Sequence, residues 1–218
     1  MRENKTKKLV TSAMLLALGT AISFVSEMIP FLNLPFGGTI TLASLLPLVL
    51  ISWMYGLRWG LGAGFVYSLL QMAVGFKTVS ALFLPDSDSY MGSVFFAFCI
   101  LLLDYILAYT SVGLGGIFRS KMKAAPALIW GSVFALSLCY LFHVLSGAIF
   151  YGAWAEWFFT DSAAKSFAFS AWVMETFTGA GLATVYSLVY NGCYMLPEIV
   201  ITALAAGSVS RIPGLKKI

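Results

Sequence analysis

Asp104, His143 and Asn191 are polar residues set inside long apolar runs. Asp104 stands in Leu101-Leu102-Leu103-Asp104-Tyr105, His143 is the single histidine of the chain, and Asn191 follows Tyr190. An ionisable side chain at the middle of a bilayer costs about 2.5–3.5 kcal/mol on insertion scales, so Asp104 has to turn inward and find a partner. Each of the three lies about nine or ten residues from the outer end of its run, or roughly 13–15 Å deep at 1.5 Å per residue. An acid, an imidazole and a carboxamide at one level are what an outward-opening polar pocket needs. Taken singly, a buried histidine is more often a satisfied core group, and Asn191 can be a helix–helix bond worth about 0.6 kcal/mol. Their shared depth favours the pocket.

Aromatic residues accompany the three. Tyr105 follows Asp104, Tyr151 stands two helical turns after His143, and Tyr186 lies one turn and a half before Asn191. Trp154, Trp157 and Trp172 come after the run that holds His143, where an interfacial aromatic belt accounts for them as well. Rings beside a carboxylate suit a flat cationic ligand, since a dry cation–ring contact is worth about 2 kcal/mol or more. Gln71, near the outer end of its own run, can add a hydrogen bond. Glu198, after Pro197, lies lower and fits a kink or a partner contact better than a ligand contact.

Composition says what must position these groups. The chain has 218 residues, 60% hydrophobic and 10% charged, with a mean hydropathy of +0.91. A soluble domain carries about a quarter charged residues, so this surface has to face lipid. Six apolar stretches stand out, at about 9–27, 42–57, 59–76, 94–118, 126–152 and 181–209. They predict a single all-α integral membrane domain over 1–218, a bundle of six transmembrane helices. Pro30, Pro35, Gly37 and Gly38 break the chain after the first stretch, Gly56 after the second, and Pro85 with Asp86 and Asp88 after the third. With the N-terminus and C-terminus cytoplasmic, Arg2, Lys5, Lys7, Lys8, Arg58, Arg119, Lys121, Lys123, Arg211, Lys216 and Lys217 are all inside, and only Lys77 and Lys165 of the 13 basic residues fall outside. That is the bias topology requires. It also favours keeping the first stretch as a span over reading it as a cleaved leader. The apolar loop Phe31–Thr39, with Pro30 before it, Pro35 in it and a Gly-Gly pair, cannot be a regular helix; it can fold back over a cavity or lie as an ordinary interfacial loop.

Several chemistries are excluded. The basic residues cap apolar runs and form no face for nucleic acid. Cys99, Cys139 and Cys193 lie in apolar runs with no metal-ligand spacing. Gly60, Gly62 and Gly64 look like a phosphate loop only superficially, and no GxxxxGK[ST] is present. No GxSxG or HExxH selects a nucleophile or metal, so no enzyme is expected. Ala13 and Ala17, with Ala21 continuing the row, form a small-residue face on which another helix can pack, from this chain or from another subunit.

With these residues in view, the chain resembles the thiamine-binding substrate-capture subunits, or S components, of energy-coupling factor transporters. The resemblance covers nearly the whole chain. It is carried by Leu103-Asp104-Tyr105, by His143 to Tyr151 (His-Val-Leu-Ser-Gly-Ala-Ile-Phe-Tyr), by Tyr186 to Asn191 (Tyr-Ser-Leu-Val-Tyr-Asn) and by Leu57 to Gly64. It implies a six-helix S-component bundle in the cell membrane with a site near the outer face, lidded by the first loop. It implies that Asp104, His143, Tyr186 and Asn191 bond an aminopyrimidine, that Tyr151 stacks on the ligand, and that Tyr105 lines the pocket. It implies that Ala13 and Ala17 pack on a transmembrane coupling subunit, and that two separate ATPase subunits use the ATP, with no cofactor in this chain. Tyr151 stands where some members have Trp, Cys139 where some have Lys, and Asp104 where some have Glu. The function implied is high-affinity capture and import of thiamine. An S component for another vitamin or thiamine precursor, or a stand-alone proton-coupled carrier, are the alternatives.

Overall fold

Proline, glycine and charge set the helix ends. The computed structural model of the protein describes residues 5–34, 38–87 and 89–213, so Arg2, Pro35 to Gly37, Asp88, Lys216 and Lys217 lie outside the described residues. Helix α1 (Lys5–Glu27) stops short of Pro30, which opens a single 3-10 turn. Helices α2 (Leu46–Tyr55) and α3 (Leu57–Val74) are joined by Gly56 alone, at φ 87°. A reversal in one residue needs that left-handed backbone, which glycine adopts at little cost. The short α4 (Phe76–Ala81) follows. Helix α5 (Val94–Val112) starts at Ser93, whose hydroxyl accepts from the Phe95 N–H at 3.2 Å. The chain continues through α6 (Ala124–Phe150), α7 (Ala155–Thr160), α8 (Ser170–Thr176) and α9 (Gly179–Val209).

Four of these, α1, α5, α6 and α9, are long and apolar enough to cross a membrane. Large side chains stand exposed on their outer faces, Met14, Phe98, Ile149 and Leu204 among them. Helix α3 has 18 residues but carries Arg58, Gln71 and three glycines. Helix α2 has 10 residues and covers about 15 Å, half of a hydrocarbon core.

Two expected stretches differ in extent. The second was expected from residue 42, but the helix begins at Leu46, because Leu42 (φ 50°) and Ala43 (φ 67°) hold left-handed backbone. The non-helical segment 38–45 runs down inside the bundle, where Ser44 meets α1 at Gly19. The fourth was expected to reach 118, but α5 stops at Val112 and Gly113 to Lys121 wind as turns. Gly116 packs there on α2 and donates its N–H to the Ser52 hydroxyl at 3.0 Å.

The lower end is the one where α1 begins and α2 and α5 finish. There Lys8 lies 4.2 Å from the Trp59 ring, Trp59 donates to Ser12 at 2.8 Å, and Arg119 donates to the Met54 carbonyl at 3.2 Å. Helix α3 touches the turn that follows α5 backbone to backbone, at Gly60 and Gly113. Helices α6 and α9 form the long central pair, in contact at Gly147 and Ser187. Ala13 and Ala17 stand exposed on the outer face of α1 beside Met14 and Leu18.

Candidate ligand-binding site

The site begins with a change of helical pitch. Residues Leu101–Leu107 within α5 form a π-helix, and the Ala108 N–H reaches the Leu103 carbonyl five residues back. Widened turns of this kind recur at functional sites because they re-aim side chains. Asp104, Tyr105 and Tyr109 consequently face one cavity of about 510 Å³, which opens toward the upper end of the bundle.

Asp104 is held from α6 by both carboxylate oxygens. Oδ1 lies 3.0 Å from His143 Nδ1, and Oδ2 accepts from the Ser146 hydroxyl at 2.7 Å. His143 Nε2 lies 3.6 Å from the Cys139 sulfur, so both imidazole nitrogens are engaged inside the protein. The edges of Tyr109 and Tyr194 close around that ring at centroid distances of 6.3 and 6.0 Å. Asp104 can therefore neither rotate nor leave its level without breaking two bonds, while each of its oxygens keeps acceptor capacity.

Asn191 ties α9 to this frame. Its amide nitrogen donates to the Ser187 carbonyl at 2.9 Å and approaches the His143 carbonyl at 3.3 Å, and its oxygen accepts from Tyr194 at 2.7 Å. Ser187 donates to the Val144 carbonyl at 2.7 Å. A Cβ at position 147 would collide with Ser187 and sit 3.2 Å from the Asn191 amide, so Gly147 is what lets α9 come this close. Gln71 brings α3 in, donating to Tyr67 at 2.9 Å and to Ser23 of α1 at 3.1 Å.

All seven residues singled out from sequence as ligand contacts line this one cavity: Gln71, Asp104, Tyr105, His143, Tyr151, Tyr186 and Asn191. Ala13 and Ala17 lie apart from it, on the outside of α1. Other wall residues escaped the sequence reading. Tyr194, on the wall, and Ser146, the hydroxyl partner of Asp104, follow Asn191 and His143 by three residues, a same-face spacing that would have found them. Tyr109 is five residues past Asp104, and only the π turn puts the two on one wall. Glu27 stands at the rim as a second carboxylate. Tyr190 packs on Tyr186 at 5.7 Å and on Phe158 at 5.8 Å, backed by the α7 cluster.

The cavity thus offers one braced carboxylate in its lower part, one carboxylate at its rim, six tyrosines and the carboxamides of Asn33, Gln71 and Asn191. Rings and acids in this ratio favour a flat, cationic, hydrogen-bonding guest. Among the described residues no group of three or more His, Cys, Asp or Glu could hold a metal.

Known proteins agree with a transport role. The sequence profile of the family described as thiamine transporter protein (Thia_YuaJ) matches residues 10–86 and 87–164. A curated relative, the thiamine transporter ThiT of Bacillus subtilis (strain 168), is 30% identical over 207 residues, covering 90% of this chain and 86% of its own. A solved chain described as ThiT from Listeria monocytogenes superposes with a TM-score of 0.59 at 18% identity, covering 93% of this chain and 97% of that one, and so shares the fold. These matches, with four helices of span length, make this a multi-pass cell-membrane transport protein rather than an enzyme, and the chain belongs to the thiamine transporter protein family.

Proposed function

We propose that this chain captures thiamine from outside the cell in the upper cavity and imports it as the substrate-specific subunit of an ATP-driven energy-coupling factor transporter. The observation that carries the reading is Asp104, braced by His143 and Ser146 beneath a ring of tyrosines. Thiamine has an aminopyrimidine that can bond a carboxylate and a thiazolium that can lie against aromatic faces. Asp104, Tyr186 and Asn191 face the aminopyrimidine, His143 holds Asp104, and Tyr151 and Tyr105 enclose the rings. Gln71 completes the wall from α3.

In this reading both termini are cytoplasmic. The chain crosses six times, with segment 38–45 and α2 together forming the second crossing. Irregular backbone at membrane depth is tolerated where it lines a cavity, as this segment does. The exposed Ala13 and Ala17 face is the surface for the coupling transmembrane subunit, and two ATPase subunits supply the energy.

The test is a titration of purified protein with thiamine, followed by tryptophan fluorescence. Saturable quenching that disappears in Asp104→Ala supports the assignment, and its absence in the wild type refutes it. Riboflavin, biotin and hydroxymethylpyrimidine as competitors decide between thiamine and another vitamin or precursor. The Asp104–His143 pair also favours a second reading, a carrier driven by protons. Uptake into vesicles without ATPase subunits, abolished by a protonophore, would establish that one instead.

A further inference from the structure

Glu198 sits in the middle of α9 and is buried, yet it plays no part in the cavity wall. Among the described residues no Lys, Arg or His nitrogen lies within 4.0 Å of its carboxylate. Backbone and hydroxyl donors surround it instead. The Thr41 N–H donates to Oε2 at 3.1 Å, the Ala43 N–H also donates, and Thr202, one turn further along α9, donates to Oε1 at 3.2 Å. A carboxylate buried without a cation needs such a set of donors.

The donors come from the most unusual backbone in the molecule. Leu42 and Ala43 are consecutive non-glycine residues at φ 50° and 67°. Side-chain-bearing residues avoid that region unless the surroundings hold them there. Here the holding group is visible: turned this way, the amides of Thr41 and Ala43, two residues apart, face one anion. The neighbouring residues are tied as well, since Ser44 donates to the Thr41 hydroxyl at 2.7 Å and its own hydroxyl bonds Tyr67 of α3.

The segment so held reaches the ligand site. Gly38, Thr39 and Thr41 line the cavity. Gly38 lies so close to Tyr194 that a Cβ there would sit 2.6 Å from its ring, and its backbone bonds the Tyr190 hydroxyl. Tyr194 in turn donates to Asn191. We infer that Glu198 is a positioning residue for the ligand site: its carboxylate clamps the strained Thr41–Ala43 turn, and the clamped turn sets the part of the cavity wall formed by Gly38, Thr39 and Thr41. This rests on the thiamine reading only for the identity of the guest. The clamp itself is a property of the chain alone.

Hydrogen exchange of segment 38–45 in the ligand-free protein, compared with thiamine dissociation measured by stopped flow, tests it. In Glu198→Ala, exchange in that segment should rise by about tenfold or more while the centre of α6 is unchanged. Thiamine should leave about tenfold faster, with the association rate much less affected. Ala43→Gly, which removes the need for a clamp at one strained residue, should restore part of both effects when combined with Glu198→Ala. It should change dissociation by less than about twofold alone. If Glu198→Ala gives no folded protein, Glu198→Gln keeps the shape without the anion and carries the same comparison. Unchanged exchange overturns the clamp. Raised exchange with unchanged dissociation overturns its link to the ligand site. Failure of Ala43→Gly to restore anything makes Glu198 a packing residue and overturns the clamp too. A wild type that ignores thiamine sinks the proposed substrate, while the exchange measurement still decides the clamp.

Discussion

The lower half of the bundle, where α2, α3 and α5 meet, is built on glycine and serine. The upper half, where α5, α6 and α9 meet, is built on tyrosine. Below, Gly60 of α3 touches Gly113, Gly64 lies against the Tyr109 carbonyl, and Gly116 bonds Ser52. Above, six tyrosines stand around a cavity of about 510 Å³, and hydroxyl and amide bonds keep it from collapsing. Small residues let backbones approach until no space remains. Large rings, Tyr194 among them tied through its hydroxyl to Asn191, keep helices apart at a set distance. Helix α5 passes through both halves, and its π turn marks the change. Substitutions below should therefore damage the fold, and substitutions above should damage the ligand while sparing the fold.

The largest effect belongs to Gly60→Leu. A side chain there must enter space held by the Gly113 carbonyl and by Ser52, and backbone cannot swing aside. The loss should exceed the roughly 1–3 kcal/mol usual for overpacking. We expect no monodisperse protein on size-exclusion chromatography in detergent. Gly62, two residues on, has nothing within 4 Å of its would-be Cβ. Gly62→Ala should fold normally and gain up to about 1 kcal/mol from helix propensity. Equal behaviour of the two variants would break the description of the lower half.

Next comes Asp104→Ala. It removes the braced carboxylate but leaves the rings, so thiamine affinity should fall at least about 100-fold, or 2.7 kcal/mol, with the elution profile unchanged. A variant that unfolds instead would make Asp104 a structural tie like Gly60. Ser146→Ala sharpens the same point. It takes one of the two braces from the carboxylate and should cost about 1–2 kcal/mol of affinity, five- to thirtyfold.

How much of this was legible in the residues varies by kind. Helix ends followed from Pro30, Gly56 and the basic clusters, because breaking a helix is a local property. Depth of polar residues was legible too, since helical rise is constant, and it brought Asp104, His143 and Asn191 to one level. The π turn was not legible. One residue's worth of extra pitch is decided by packing, and it alone sets Tyr109 beside Asp104. Nor was the start of α2, because left-handed Leu42 and Ala43 run against local preference and are held by Glu198, far away in sequence. The lower contact was visible only as three glycines, whose spacing of four between Gly60 and Gly64 describes a helix face better than any phosphate loop.

The smallest effect separates two bonds on one helix pair. Tyr140 of α6 donates to the Leu188 carbonyl of α9 at 2.7 Å, on the outside of the bundle. Ser187, the residue before Leu188, donates to the Val144 carbonyl on the inside and also accepts from Asn191 at 3.1 Å. Both bonds join the same helices, so a view in which α6–α9 pairing alone makes the site predicts equal consequences. If instead the cavity is held by its own inner network, Tyr140→Phe should lower the thermal midpoint by about 2–4 °C, the worth of one ordinary hydrogen bond in a chain this size, and leave thiamine affinity within about twofold. Ser187→Ala should cost a similar amount of stability but more affinity, because Asn191 loses a partner and with it the position of its oxygen. Thermal unfolding and thiamine titration on the two variants distinguish these outcomes, and a drop in affinity for Tyr140→Phe as large as for Ser187→Ala would show that the upper half, like the lower, depends on helix contact as a whole.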